Sequence, residues 1–365
     1  MKKLKNIYMS SIYQDAGKTT MSLGLYKAFR EKKLKTTFCK PVGQQAIFID
    51  DREIDKDSYL IGEVFHCHKK IKDMSPVTIP RGFTEKYIYD PQKEVMVNKI
   101  LKSFKSLTKG KDSIIIEGTG HAAVGSVVDL SNADVASLLG SKVIIVSEGG
   151  IGRSIDEIML NKALFDLKGV EVIGVIINKV LPEKYSKIKR VLKQGLKNKG
   201  IKLLGVIPRD PILSDPSMEH LMNILDLELL CGKENLNRRV RNTIVAAMEP
   251  ENMVEYIKDG TLILTSGDRV DNIMVAVSSH FIMQGKKSQV SGMILSGGLT
   301  PDVKITELLK KSGIPVLISE DDIYTIAGKM DGLTCKIQKT DKEKIAEAVS
   351  LVKEYVDIDA ILSSL

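Results

Sequence analysis

Ser10-Ser11-Ile12-Tyr13-Gln14-Asp15-Ala16-Gly17-Lys18-Thr19-Thr20 is the stretch on which the fold turns. The aliphatic run before it, residues 6–10, reads as a strand, and residues 18–31 read as a helix. A strand that ends in such a loop and feeds a helix is the setting a Walker-type phosphate loop requires. Backbone N–H groups converge there, with the helix N-terminus behind them, and form an anion cradle. In this reading Ser11, Asp15, Ala16, Gly17, Lys18, Thr19 and Thr20 line the phosphates of a nucleotide. Lys18 reaches the outer phosphates, and the Thr19 hydroxyl coordinates magnesium. The strict glycine pattern is broken, because Ile12 stands at the first glycine position, or Ser11 if the loop is one residue longer. The plain alternative is a chance Ala-Gly-Lys-Thr-Thr at a helix start.

Outward from the loop, β-branched runs at 36–39, 113–117, 143–147, 172–178 and 203–207 alternate with helical segments at 154–167 and 185–198. Continuous apolar strands separated by helices predict a parallel sheet covered on both faces. Residues 41–112 form a long excursion between the second and third strands, with a helix at about 94–107. Prolines in Ile207-Pro208-Arg209-Asp210-Pro211 break the pattern. A linker helix at about 219–230 and a second α/β series follow. Its strands are expected at 243–248, 261–265, 292–295 and 316–319, and its helices at 270–283, 301–311 and 322–330. The boundary is placed near residue 212. The expectation is a P-loop-type α/β domain over 1–212 and a smaller α/β domain over 213–365, closed by an amphipathic helix at 340–354.

Two carboxylates complete a metal site on this reading. Glu117 ends the buried run 114–116 and precedes Gly118-Thr119-Gly120, so it sits at the C-terminal sheet edge where open α/β sheets bind ligands. Asp57, in Asp55-Lys56-Asp57-Ser58, lies in a charged run that is as easily a solvated face. Magnesium keeps waters and phosphate oxygens, so Thr19 with one or two carboxylates suffices.

The chain has 365 residues, 43% apolar and 27% charged, as in an ordinary globular protein, with room for two cores. Its net charge of +8 comes from scattered lysines rather than a stripe with exposed aromatics, which argues against nucleic acid and still favours anionic substrates. No apolar stretch approaches the ~20 residues of a membrane span. Neither a secretory signal nor a CxxC pair is visible among Cys39, Cys67, Cys231 and Cys335, so a cytoplasmic location is expected.

The loop 11–20, Cys39-Lys40-Pro41-Val42-Gly43, Asp57, Glu117-Gly118-Thr119-Gly120, Gly174-Val175-Ile176-Ile177-Asn178-Lys179 and Gly205-Val206-Ile207-Pro208-Arg209-Asp210 fall in one order. Together they resemble the dethiobiotin synthetase family, and most of all the related domain at the N-terminus of some phosphotransacetylases. The last motif also resembles cobyrinic acid a,c-diamide synthases. Gly267-Asp268-Arg269-Val270-Asp271, Leu295-Ser296-Gly297-Gly298-Leu299 and Asp321-Asp322-Ile323-Tyr324-Thr325 resemble the DRTGG domain that follows this module in long phosphotransacetylases, although Val270 and Asp271 stand where Thr and Gly are expected. The sequence shows no counterpart of the acetyltransferase catalytic domain, so that activity is not expected of it.

The resemblance implies ATP and Mg2+ as cofactors. Lys18 and Thr19 would hold phosphate and metal, Asp57 and Glu117 magnesium, Lys40 substrate and transition-state charge, and Asn178 the adenine. It also implies a homodimer acting on a small metabolite. Gln44, where a small hydroxyl residue is usual, and His121, where Gly is usual, depart from the biotin enzymes on the substrate side. Plainer roles stand beside these: solvation for Lys40, a strand-end cap for Asn178, a loop position for His121. Asp268, Arg269 and Asp271 either bind a ligand or pair with one another, and Gly297-Gly298 marks either close backbone approach or a tight turn. His66-Cys67-His68 has no second cluster at zinc spacing. Two functions follow: an ATP-dependent ligase or ATPase, or a nucleotide-sensing module coupled to ligand binding by the second domain.

Overall fold

The computed structural model describes residues 4–49, 52–67, 70–282, 290–331, 333 and 335–365. It divides into two compact units, one of residues 1–210 with 337–365 and the other of residues 211–336. His68 and Met283, both part of the sequence expectations, lie outside the described residues.

The first unit is built on a six-stranded sheet in the order Leu203–Pro208, Val172–Val180, Lys142–Glu148, Lys5–Ser11, Ser113–Glu117, Thr36–Cys39. Every pairing is parallel. Ile7, Met9, Ile114 to Ile116 and Val143 to Val146 are all buried, so neighbouring positions on both faces are covered, as the continuous apolar runs require. Strand Lys5–Ser11 lies between Lys142–Glu148 and Ser113–Glu117. The chain leaves it through helix α1 (Lys18–Glu31) to reach Thr36–Cys39 at the sheet edge. The order of strands therefore reverses beside the end of Lys5–Ser11, which is where such sheets open a ligand crevice.

The second half of the expected domain division needs correction. The closing helix, assigned by its amphipathic pattern to the second domain, belongs to the first unit. It runs Lys342–Tyr355 and packs on α1. Its Ala348, Leu351 and Val352 are buried, and a Cβ on Gly24 of α1 would lie 2.3 Å from Val352 Cβ. Only a glycine lets the two helices approach this closely. Val356 then bridges Gly205, and the Asp357 amide donates to Leu204 O at 2.8 Å.

The second unit holds a five-stranded sheet in the order Glu228–Cys231, Val316–Ile318, Val290–Ser296, Thr261–Ser266, Asn242–Val245. The first strand is antiparallel and the rest are parallel. Ile263, Met293 and Leu295 join one aliphatic cluster, and Leu262, Leu264 and Ile294 join another, the alternation of a sheet buried on both sides. The linker helix expected over 219–230 is also corrected. A helix covers Met218–Leu225 and ends where Asp226 turns left-handed at φ 54°. Leu229 then pairs with Leu317 in a strand. Among the described residues no helix is long and apolar enough to cross a membrane.

Candidate functional site

Gly17 caps α1 with φ 104°, a left-handed conformation that a side chain would strain. A Cβ there would also lie 2.1 Å from Asn178 Nδ2. The loop is thus pressed against the end of strand Val172–Val180, where Asn178 Nδ2 donates to Ala16 O at 3.0 Å. Asn178 is buried, and its Nδ2 braces the loop through this contact. At the other end of the loop, the Ser11 amide donates to Gly120 O at 3.2 Å and the Ile12 amide to Val146 O at 3.1 Å. Ile12, at the broken glycine position, is buried in this join.

Lys18 is buried and folds back on the loop, its Nζ donating to Ser11 Oγ at 2.8 Å. Burial pulls it down to about 8, against the opposing pull of Glu117. Thr19 Oγ1 donates to Glu117 Oε1 at 2.9 Å. The other Glu117 oxygen, Oε2, is buried and has no partner at hydrogen-bond distance among the described residues, although the nearby Ser22 hydroxyl, itself unpaired, pulls the carboxyl's pKa down. An acceptor left bare in this position suits a cation or a cation-bound water. Asp15 and Thr20 are partly exposed at the loop.

Lys40 is buried at the end of Thr36–Cys39, its Nζ 3.1 Å from Asp55 Oδ1 and paired with Asp57 Oδ2. Burial alone would lower Lys40, but Asp57, Asp55 and Glu117 together raise it. The solvated alternative for Lys40 is therefore not what the fold uses. Asp55 is fully buried and was not singled out from the sequence, where it sits in a charged run. It caps helix Lys56–Val64 by accepting the Asp57 amide at 2.9 Å, which fixes Asp57 beside Lys40.

Burial and the nearby Asp57 push Glu117 up to about 7, with Lys40 and Lys18 pulling the other way. Its carboxyl thus stays protonated in the fold at pH values where the unfolded chain has ionised it. The resulting stability is complete below about 4.5, declines as pH rises, and is gone near 7. The melting temperature of nucleotide-free protein should fall across this window more steeply than in a Glu117→Gln variant. Parallel curves for the two proteins would remove Glu117 as the cause.

Asn132 is a second organiser the sequence did not reveal. Buried at a helix start, its Oδ1 accepts from Tyr8 OH at 2.8 Å and from the Thr119 amide at 3.0 Å. Its Nδ2 donates to Thr119 O at 2.8 Å and His121 O at 2.6 Å. Asn132 thereby shapes the loop after Glu117. His121 itself is exposed, and its Nδ1 accepts the Ala123 amide at 3.3 Å. Gln44 Oε1 accepts from Gln14 Nε2 at 3.4 Å, so the substrate-side departure touches the loop tip.

The structure brings Ser11, Lys18, Thr19, Lys40, Asp57, Glu117 and Asn178 to one sheet edge. Among the described residues no group of three or more His, Cys, Asp or Glu side chains is arranged to hold a metal. Thr19, Asp57 and Glu117 are the residues that could hold magnesium, a small protein ligand set that leaves places for phosphate oxygens and suits this ion. In the second unit the candidate residues pair with one another or with backbone carbonyls. Arg269 Nη2 pairs with Asp271 Oδ2 at 2.8 Å. The Gly297 and Gly298 amides donate to Asp321 O at 2.9 Å and Ser319 O at 2.8 Å, carbonyls of the segment that follows strand Val316–Ile318.

Comparison with known proteins adds to this geometry. Residues 5–217 match the family described as AAA domain, and residues 220–333 match the DRTGG domain, in the order the motif resemblance implies. A phosphate acetyltransferase of Nitratidesulfovibrio vulgaris is 27% identical over 369 residues, covering 99% of this chain and 51% of its own length. One from Pseudomonas putida is 27% identical over 355 residues, covering 93% and 49%. The chain spans about half the length of the curated relatives it matches. Among solved structures, a plasmid partition protein from Borrelia burgdorferi aligns over 57% of this chain and 91% of its own at 17% identity and TM-score 0.36. The CBS and DRTGG domains of the Clostridium perfringens pyrophosphatase regulatory region, complexed with diadenosine tetraphosphate, align over 48% and 85% at 18% identity and TM-score 0.28.

Proposed function

Because the chain belongs to the AAA domain family, which its residues 5–217 match, we propose that it binds ATP with magnesium in the loop 11–20 and activates the terminal phosphate there. The observation that carries this reading is the pairing of Thr19 Oγ1 with a buried Glu117 whose Oε2 lacks a hydrogen bond, beside two buried lysines. Thr19 and Glu117 would hold magnesium, with Asp57 next to them. The bound ion would neutralise charge on the outer phosphates. Lys18 is a counter-charge for the β- and γ-phosphates that must first let go of Ser11. Lys40, kept protonated by Asp55 and Asp57, faces the charge that builds as the γ-phosphoryl group moves. Positioning and charge neutralisation are most of what phosphoryl transfer asks of a protein.

The acceptor in this reading is water or a small carboxylate- or amine-bearing metabolite, and the protein works as a homodimer. Its test is a native mass spectrum together with calorimetric titration of MgATP. The expected result is one nucleotide with magnesium per chain, and affinity that drops about tenfold or more when EDTA removes the metal. No heat and no bound nucleotide would sink the proposal.

A second reading is supported by the DRTGG match at 220–333. Here ATP is sensed rather than consumed, and the second unit responds to another ligand. Phosphate release separates the two readings. Turnover stimulated by one metabolite supports catalysis, while tight binding with no release supports sensing.

A further inference from the structure

We propose that Lys179 is a positioning residue of the phosphate cradle, acting with Asn178 and held by Glu148; this rests on reading the loop 11–20 as a triphosphate site. Consecutive residues at the end of strand Val172–Val180 grip consecutive carbonyls of the loop. Asn178 Nδ2 donates to Ala16 O at 3.0 Å, and Lys179 Nζ donates to Asp15 O at 2.7 Å.

In a trans peptide the C=O and N–H point in opposite directions. A donor that holds the Asp15 carbonyl from behind therefore turns the Ala16 amide the other way, and a donor on the Ala16 carbonyl does the same for the Gly17 amide. Neither of those amides donates a hydrogen bond among the described residues. The two side chains thus turn two N–H groups without a partner among the described residues away from the strand end, the kind of group an anion-binding nest uses. Fixing them before the anion arrives removes an ordering penalty from binding.

Lys179 is itself held. Its Nζ lies 2.6 Å from Glu148 Oε1, and Glu148 Oε2 accepts from Tyr13 OH at 2.7 Å. Glu148 therefore joins the strand-end lysine to a second point on the loop. Both ends of the Lys179–Asp15 contact lie in the left-handed region, at φ 55° and φ 60°. Residues with a Cβ adopt it only against a steric penalty, and such positions gather at functional sites. Lys179 and Asn178 reach the loop through its backbone carbonyls, so their effect belongs to the phosphate chain and is indifferent to the base.

The test titrates MgATP and magnesium tripolyphosphate against the full chain and its Lys179→Met, Lys179→Arg and Glu148→Gln variants. Lys179→Met keeps the length of the stem and removes the donor. It should weaken both ligands by the same factor, about tenfold, with the melting temperature of ligand-free protein unchanged. Lys179→Arg should restore most of the affinity. Glu148→Gln, which leaves an acceptor but no charge, should give a smaller loss of the same kind. Native affinity in Lys179→Met overturns the proposal, and so does a loss confined to ATP, which would make Lys179 a base contact. If the unmodified protein binds neither ligand, the nucleotide reading itself fails.

Discussion

A Gly17→Ala protein is expected to fold and to bind MgATP about a hundredfold more weakly than the native chain, or worse. Two effects act at one atom. Alanine at φ 104° enters the left-handed region, which costs about 1–2 kcal/mol. Its methyl would also lie 2.1 Å from Asn178 Nδ2, so the bond from Asn178 to Ala16 O must break or the loop must move away. Losing that buried bond costs about 1–3 kcal/mol more. Both costs are relieved if the loop opens, and an open loop no longer directs its amides at a phosphate. The loss should therefore appear in nucleotide affinity, with a modest drop in melting temperature. Calorimetric titration beside a melting curve is the measurement, and unchanged affinity would refute the cradle at this position.

The second large effect is expected from removing residues 337–365. Ala348, Leu351, Val352, Val356 and Ile361 are all buried in the first unit. At roughly 1.5–3 kcal/mol for each of the four large side chains, their loss amounts to about 6–12 kcal/mol. That is comparable with the whole stability of a typical domain, about 5–15 kcal/mol. The exposed face of α1 would also carry the slot at Gly24 that Val352 fills. A chain of residues 1–336 should lose the cooperative melting of its first unit and its nucleotide binding, even though the loop 11–20 and its carboxylates are intact. Cooperative melting at the native temperature would show that these helices are dispensable.

This outcome also marks where the sequence stopped being legible. Strand Ser113–Glu117 and helix Lys18–Glu31 can be read to the residue, because an unbroken aliphatic run and a helix opening after Gly17 leave few alternatives. The amphipathic pattern at 340–354 says that one face is buried but carries nothing about which unit buries it. Leu229-Leu230-Cys231 fits a helix or a strand equally well until Val316–Ile318 lies alongside.

In the site, Lys18, Thr19 and Glu117 follow from local chemistry, a loop and a strand end. Asp55 and Asn132 do not. An acid in a charged run and an asparagine at a helix start look solvated in sequence. Only the fold shows them buried, one against Lys40 and the other against the backbone after Glu117. Lys179 and Glu148 are legible only in part, since an Asn-Lys pair at a strand end says nothing of which carbonyls it will meet.

The chain passes from the first unit into the second at residue 211 and returns at 337. During synthesis this order has a consequence. Residues 211–336 carry every strand of their own five-stranded sheet, so the inner unit can close as soon as its last strand has emerged. The outer one has its phosphate-loop helix made before the inner unit but must hold it uncovered until residues 337–365 follow, so of the two units the one begun earlier is completed later.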